Sequence, residues 1–122
     1  MAEMPLIDAD ILAEARTAMP AKFAAICRYF IDDTESYLGA LRAAVAEKSV
    51  QKLVIPAHSI KSSARQMGAL RLGEIASELE SLATGAVGQE AAADFARIAR
   101  LVGTLAEVFG ATRPLLERET AA

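Results

Sequence analysis

Five apolar residues, Leu53, Ala57, Ile60, Ala64 and Met67, recur at steps of 4, 3, 4 and 3, and that spacing leaves one regular structure open. An α-helix turns about 100° per residue, so the run forms a single face that other apolar groups must cover. The same rhythm returns in three other places. Leu72, Ile75, Leu79 and Leu82 follow at steps of 3, 4 and 3, and Phe95, Ile98, Val102, Leu105 and Phe109 at 3, 4, 3 and 4. Upstream, Phe23, Ile26, Phe30, Tyr37, Leu41 and Ala44 or Val45 keep the helical period, with Cys27 and Leu38 beside them. No segment alternates with period two, so no sheet is expected.

Caps and breakers set the boundaries. Asp8 is placed to cap a short helix running to about Thr17, with Ile11, Leu12 and Ala15 as its apolar side. Met19-Pro20 ends it, and Pro20 suits the first position of a long helix over about 20–47, where its missing N–H costs nothing. Asp33 and Thr34 interrupt the apolar stripe of that helix, but no Gly or Pro stands near enough to break it. Ser49 is the expected cap of a helix reaching Met67, with Pro56 inside it as a bend or a late start. Gly68 punctuates the chain. A further helix spans about Leu70 to Ala83, stopped by Thr84-Gly85 and Gly88, and the last runs from about Gln89 to Ala111 or beyond, with Pro114 ending or kinking it.

Four amphipathic helices with short connections most simply form an all-α, antiparallel up-down-up-down four-helix bundle, here preceded by a short extra N-terminal helix. At 122 residues the chain is expected to be a single domain, 1–122, able to bury one core without covalent staples. The lone Cys27 excludes an internal disulfide and any multi-cysteine metal site, and fits a reducing cytoplasm. A net charge of -3 supplies no broad basic surface for nucleic acid. The N-terminus carries no basic region followed by an apolar run, and no segment approaches 18 uninterrupted apolar residues, so neither secretion nor membrane insertion is expected.

His58 is the only histidine. Taking the centre of the stripe around it as zero, it points roughly 140° away, Ser62 roughly 180°, Arg65 roughly 120° and Lys61 roughly 80°. Its ring is therefore expected at the surface, partly neutral near pH 7 and with a nitrogen free to act. A metal site needs three or four ligands and finds too few partners here. A Ser-Lys hydrolase built on Ser59, Lys61, Ser62 and Ser63 lacks an elbow and oxyanion donors, and phosphate-loop and dinucleotide motifs are absent. Covalent carriage of a phosphoryl group asks for less: an exposed nucleophile, nearby positive charge and an open approach. Lys61 is placed to stabilise the group, with Ser62, Arg65 or Gln66 hydrogen-bonding it or its carrier.

The segment Ala57-His58-Ser59-Ile60-Lys61-Ser62-Ser63, followed by Gly68-Ala69, Leu72 and Leu79-Glu80, resembles the signature of histidine-containing phosphotransfer domains. That signature reads roughly Ala-His-x-Leu-Lys-Gly-Ser/Ala, then Gly-Ala, Leu and Leu-Glu. Phe30-Ile31-Asp32-Asp33-Thr34 and Leu38-Gly39-Ala40-Leu41 are similar to that family's first long helix. The resemblance implies a bundle whose histidine takes a phosphoryl group from a receiver-domain aspartate and passes it to another. His58 then matches the phosphoacceptor, Lys61 the basic residue beside it and Gly68 the glycine near the helix end. Ser62 stands where the family usually has Gly.

These readings lead to a cytoplasmic phosphorelay intermediate without kinase activity of its own, partnered by response-regulator receiver domains and a hybrid histidine kinase. It is expected to be a monomer with no cofactor, the magnesium coming with the receiver. The docking face is expected to be small, below roughly 1,200 Å² in total. It should include Ala57, Ser62, Arg65 and Ala69 around His58, together with residues of the long helix. Glu80 is expected to be an ordinary exposed helix residue. The alternative is a bundle that binds a receiver or kinase without transfer, as an adaptor or inhibitor.

Overall fold

The computed structural model describes residues 4–120. Helix α1 spans Ala9–Ala18, α2 Phe23–Ala46, α3 Gln51–Met67, α4 Leu70–Ala86 and α5 Phe95–Glu117, with short 3-10 turns at Glu90–Ala92 and Arg118–Thr120. Among the described residues there is no strand. Helix α2 packs on α3, α3 on α4, α4 on α5, and α5 closes back on α2. The helices are joined in sequence by short connections, which turns successive helices antiparallel and gives the expected four-helix ring.

The apolar stripes meet inside that ring. Leu41, Leu53, Ile60, Leu72, Leu79, Ile98, Leu105 and Leu116 are buried to 1% exposure or less. Each contributes about 1.5–3 kcal/mol relative to an exposed position, which is the main force holding the helices together. Cys27 is fully buried among them and behaves as a small apolar side chain.

Helix ends follow local chemistry. The Asp8 carboxylate accepts from Asp10 N at 2.9 Å and Ile11 N at 3.1 Å, capping α1 as expected. Helix α2 begins three residues later than the Pro20 reading, because Lys22 N donates to Met19 O at 3.1 Å and makes a separate turn of the intervening residues. It then runs unbroken past Asp33 and Thr34. Asp33 faces outward, while Thr34 turns inward at 1% exposure and its hydroxyl finds no partner among the described residues.

Ser49 Oγ accepts from Lys52 N at 3.3 Å at the start of α3. Regular helix runs on both sides of Pro56 rather than starting there. The ring lies on the buried side of α3, while the carbonyl it deprives of a donor belongs to exposed Lys52, where water can bind it. Helix α4 continues past Ala83 through Gly85 to Ala86. The Gln89 start of the last helix is corrected in the same way: a 3-10 turn intervenes, and Asp94 caps α5 by accepting from Arg97 N at 3.0 Å. Pro114 neither ends nor bounds α5, which reaches Glu117. It is exposed, and so is Gly110, whose carbonyl would otherwise have received its N–H.

The turn after α3 fixes α1 in place. Gly68 adopts φ 79°, Ala69 N donates to Ala64 O at 2.8 Å and Gly68 N to Arg65 O at 3.3 Å, a left-handed helix stop that favours glycine. Asp8 N then donates to Gly68 O at 2.7 Å, so the cap of α1 is tied to the end of α3.

Candidate functional site

Helices α3 and α4 approach closely where α4 has no side chain. A Cβ built at Gly73 would stand 3.3 Å from Arg65 Cγ, 3.6 Å from Ala64 Cβ and 3.7 Å from Lys61 O. Seven residues beyond Gly73 is two helical turns, which puts Glu80 on the same face of α4 and, in an antiparallel pair, opposite the segment of α3 before Lys61. That segment holds His58.

Glu80 Oε2 lies 2.6 Å from His58 Nδ1, and Glu80 Oε1 accepts from Lys61 Nζ. Both oxygens of one carboxylate are thus taken by cationic or proton-bearing groups. Glu80 and Lys61 side chains are 18% and 20% exposed, while His58 is 59% exposed, so the pair is recessed and the ring stands out. The Lys61 hydrogen bond is the largest influence on the Glu80 carboxyl and holds it below its ordinary value of 4.5; burial pushes the other way, and the His58 hydrogen bond adds a lesser lowering.

That charge decides the ring's tautomer. An ionised carboxylate only accepts, so Nδ1 of the neutral ring carries the proton and donates it to Glu80. Nε2 of this exposed side chain then carries the lone pair. The arrangement offers a directed nucleophile, a fixed negative charge behind it and an ammonium at its flank.

Glu80 corrects the sequence expectation, since it belongs to the site and is not a freely exposed helix residue. It lies 22 positions from His58, and no local spacing could connect the two; the only trace was the Leu79-Glu80 pair in the family signature. Two residues expected on the docking face are corrected as well. Ala57 and Ala69 are fully buried and Gly68 is buried. Ala57 packs in the α3 stripe and Ala69 in the turn, where neither can touch a partner. Ser62, Arg65 and Gln66 are exposed on α3 as expected. Ile55, one turn before His58, is 74% exposed and was not singled out by its spacing.

Residues 25–111 match the Hpt domain. That stretch covers more than half of the chain and contains His58, Lys61 and Glu80. The chain belongs to the Hpt family. Among solved structures it is similar to histidine-containing phosphotransfer protein B (HptB) from Pseudomonas aeruginosa PAO1, with 28% identity, a TM-score of 0.85, and 97% of this chain and 96% of that one covered. No match is found among curated proteins. This Hpt chain is a histidine phosphotransfer protein of a phosphorelay, a class that interacts with receiver domains and histidine kinases. Among its described residues, no group of three or more His, Cys, Asp or Glu side chains could hold a metal ion, and no helix is long and apolar enough to cross a membrane.

Proposed function

We propose that His58 Nε2 is the phosphoacceptor, taking a phosphoryl group from the phosphoaspartate of one receiver domain and giving it to the aspartate of another. The single supporting observation is the 2.6 Å contact between Nδ1 and Glu80 on a side chain that is 59% exposed, which in the neutral ring leaves the lone pair on Nε2. In a phosphotransfer protein with one histidine no other imidazole competes for the role.

In the forward step the Nε2 lone pair attacks phosphorus, the P–N bond forms, and the P–O bond to the donor aspartate breaks with its electron pair returning to the carboxylate. The ring gains positive charge as it loses that lone pair, and the Glu80 carboxylate offsets it through the Nδ1–H hydrogen bond. Lys61 has three N–H donors and gives one to Glu80, so others are left for the equatorial phosphoryl oxygens, where charge spreads in transfer. In the second step an acceptor aspartate attacks the same phosphorus and the electrons of the P–N bond return to Nε2. Magnesium and the carboxylates that hold it belong to the receiver in this reading. We place the chain in the cytoplasm as a monomer served by a hybrid histidine kinase.

Incubation with a receiver charged by acetyl phosphate, followed by mass spectrometry at alkaline pH, tests the assignment. The expected product is an acid-labile, base-stable phosphate on His58, absent from His58→Gln, whose melting temperature should stay close to wild type because the side chain is exposed. Labelling of His58→Gln at the wild-type level refutes it. A receiver that binds the wild-type chain without labelling it would favour the adaptor instead.

A further inference from the structure

The outward face of α3 is chemically divided along its length. Relative to His58, the helical turn places Ile55 roughly 60° to one side and Arg65 roughly 20° to the other, the same side as Lys61 and hence the α4 side. Ile55 is a large apolar side chain left 74% exposed. Arg65 is exposed too, and of the three cations on α3 it alone has no partner among the described residues. Lys52 pairs with Glu47 at 3.2 Å and Lys61 with Glu80, whereas the Arg65 side chain makes no hydrogen bond or ion pair among the described residues. Its stem lies over the space that Gly73 leaves open on α4, 3.3 Å from where a Cβ would be. Glycine at that point lets the stem lie flat and brings the guanidinium to the surface.

We infer that Ile55 and Arg65 orient the receiver on this face, Ile55 seating an apolar side chain of the partner and Arg65 pairing with a carboxylate on its surface. The inference rests on the proposed role of His58, because it takes the face around that ring as the one a receiver covers. Distance supports it. A contact burying below roughly 600 Å² per partner has a radius of at most roughly 14 Å if round. Along α3, Ile55 lies roughly 4.5 Å and Arg65 roughly 10.5 Å from His58, so both fall inside such a footprint. Charge supports it as well: a receiver bringing a carboxylate-bearing transfer site towards His58 meets an unpaired guanidinium on one flank only. The apolar and cationic marks lie on opposite flanks of the ring, so a partner carrying both complements fits in one orientation and not in the reverse one.

The test uses the full chain and the receiver that labels wild-type His58 fastest, charged with radiolabelled acetyl phosphate, with transfer rate followed against receiver concentration. Ile55→Ser should raise the half-saturating concentration about tenfold, the increase persisting at 0.5 M NaCl, as loss of an apolar contact would. Arg65→Ala should raise it severalfold at low salt and the difference should shrink at 0.5 M NaCl, where the Debye length is only about 4 Å. Arg65→Lys should restore part of the loss. In each variant the maximal rate should fall less than the half-saturating concentration rises.

Wild-type half-saturation in both variants, with His58 still labelled in the parent, overturns this inference and leaves the phosphoacceptor assignment standing. A fall in maximal rate with no change in half-saturation overturns it too, by placing the residues in the transfer step. Concentration-dependent dimerisation of the chain, abolished by Ile55→Ser, would give the strip to a second copy and overturn it. If no charged receiver labels the wild-type chain, the assignment of His58 fails first and this inference with it.

Discussion

Replacing Gly68 by alanine separates a structural role from a partner-binding one. At φ 79° an L-residue carries a penalty of about 1–2 kcal/mol. The new Cβ would also stand 2.9 Å from Asp8 O and 3.2 Å from Ile11 Cβ, neither at the end of a flexible chain, so the start of α1 must move. That movement weakens the 2.7 Å bond from Asp8 N to Gly68 O, a further loss of about 0.5–1.5 kcal/mol. The total is about 1.5–3.5 kcal/mol. Urea unfolding at constant m-value should show it as a lower midpoint, and a thermal melt should fall by roughly 10 °C for a domain of this size. Gly85→Ala is the control, since that helical glycine has a negative φ and open space around it; it should be neutral or stabilising by up to about 1 kcal/mol. Phosphotransfer by folded Gly68→Ala should stay near wild type, because the buried glycine offers a partner no surface. A loss under 1 kcal/mol would refute the strain argument, and a stable variant that transfers poorly would give Gly68 a part in partner binding.

Other expectations follow from single contacts. Thr34→Val removes a buried hydroxyl without a partner at nearly constant shape and should stabilise the fold by about 1 kcal/mol in urea; a destabilised variant would mean that the hydroxyl is bonded in solution. Because Lys61 and then His58 depress the Glu80 carboxyl, the stability it contributes is present above pH 4.5 and disappears as pH falls through the folded-state value. Wild type should therefore lose more stability than Glu80→Gln between pH 6 and pH 3, and equal losses would rule the linkage out. The same variant should shift the ring's nitrogen-15 resonances toward a mixture of tautomers. Cys27 is buried and its thiol is pushed up chiefly by burial, so iodoacetamide should modify it only on unfolding; rapid alkylation of the native protein would contradict the packing.

The four apolar stripes could be read from the sequence because helical periodicity and burial report the same face, and the exposure of His58 follows from the same geometry. What escaped depends on the spacing between helices. Glu80 meets His58 only because α4 lies against α3 at Gly73, and a single-helix projection carries no such information. Proximity in sequence to the histidine does not bring Ala57 and Ala69 to the surface, and Ala57 belongs to the very stripe that predicts its burial. Helix starts slipped where a competing turn chemistry won: at Met19–Lys22 a closed turn displaced Pro20, and at Asp94 a carboxylate cap set a start later than Gln89. Pro114 lies inside α5 because its cost depends on whether the deprived carbonyl is wet, which periodicity does not report.

The nucleophile and the carboxylate that sets its proton reside on separate helices, so the ring's reactivity is a property of their register. A slide of α4 along α3 by half a turn, about 2.7 Å, would stretch the Nδ1 to Oε2 distance from 2.6 Å to about 3.7 Å and release the proton to either nitrogen. The imidazole would remain fully in view and chemically intact, yet half disarmed, without a single atom of α3 having moved.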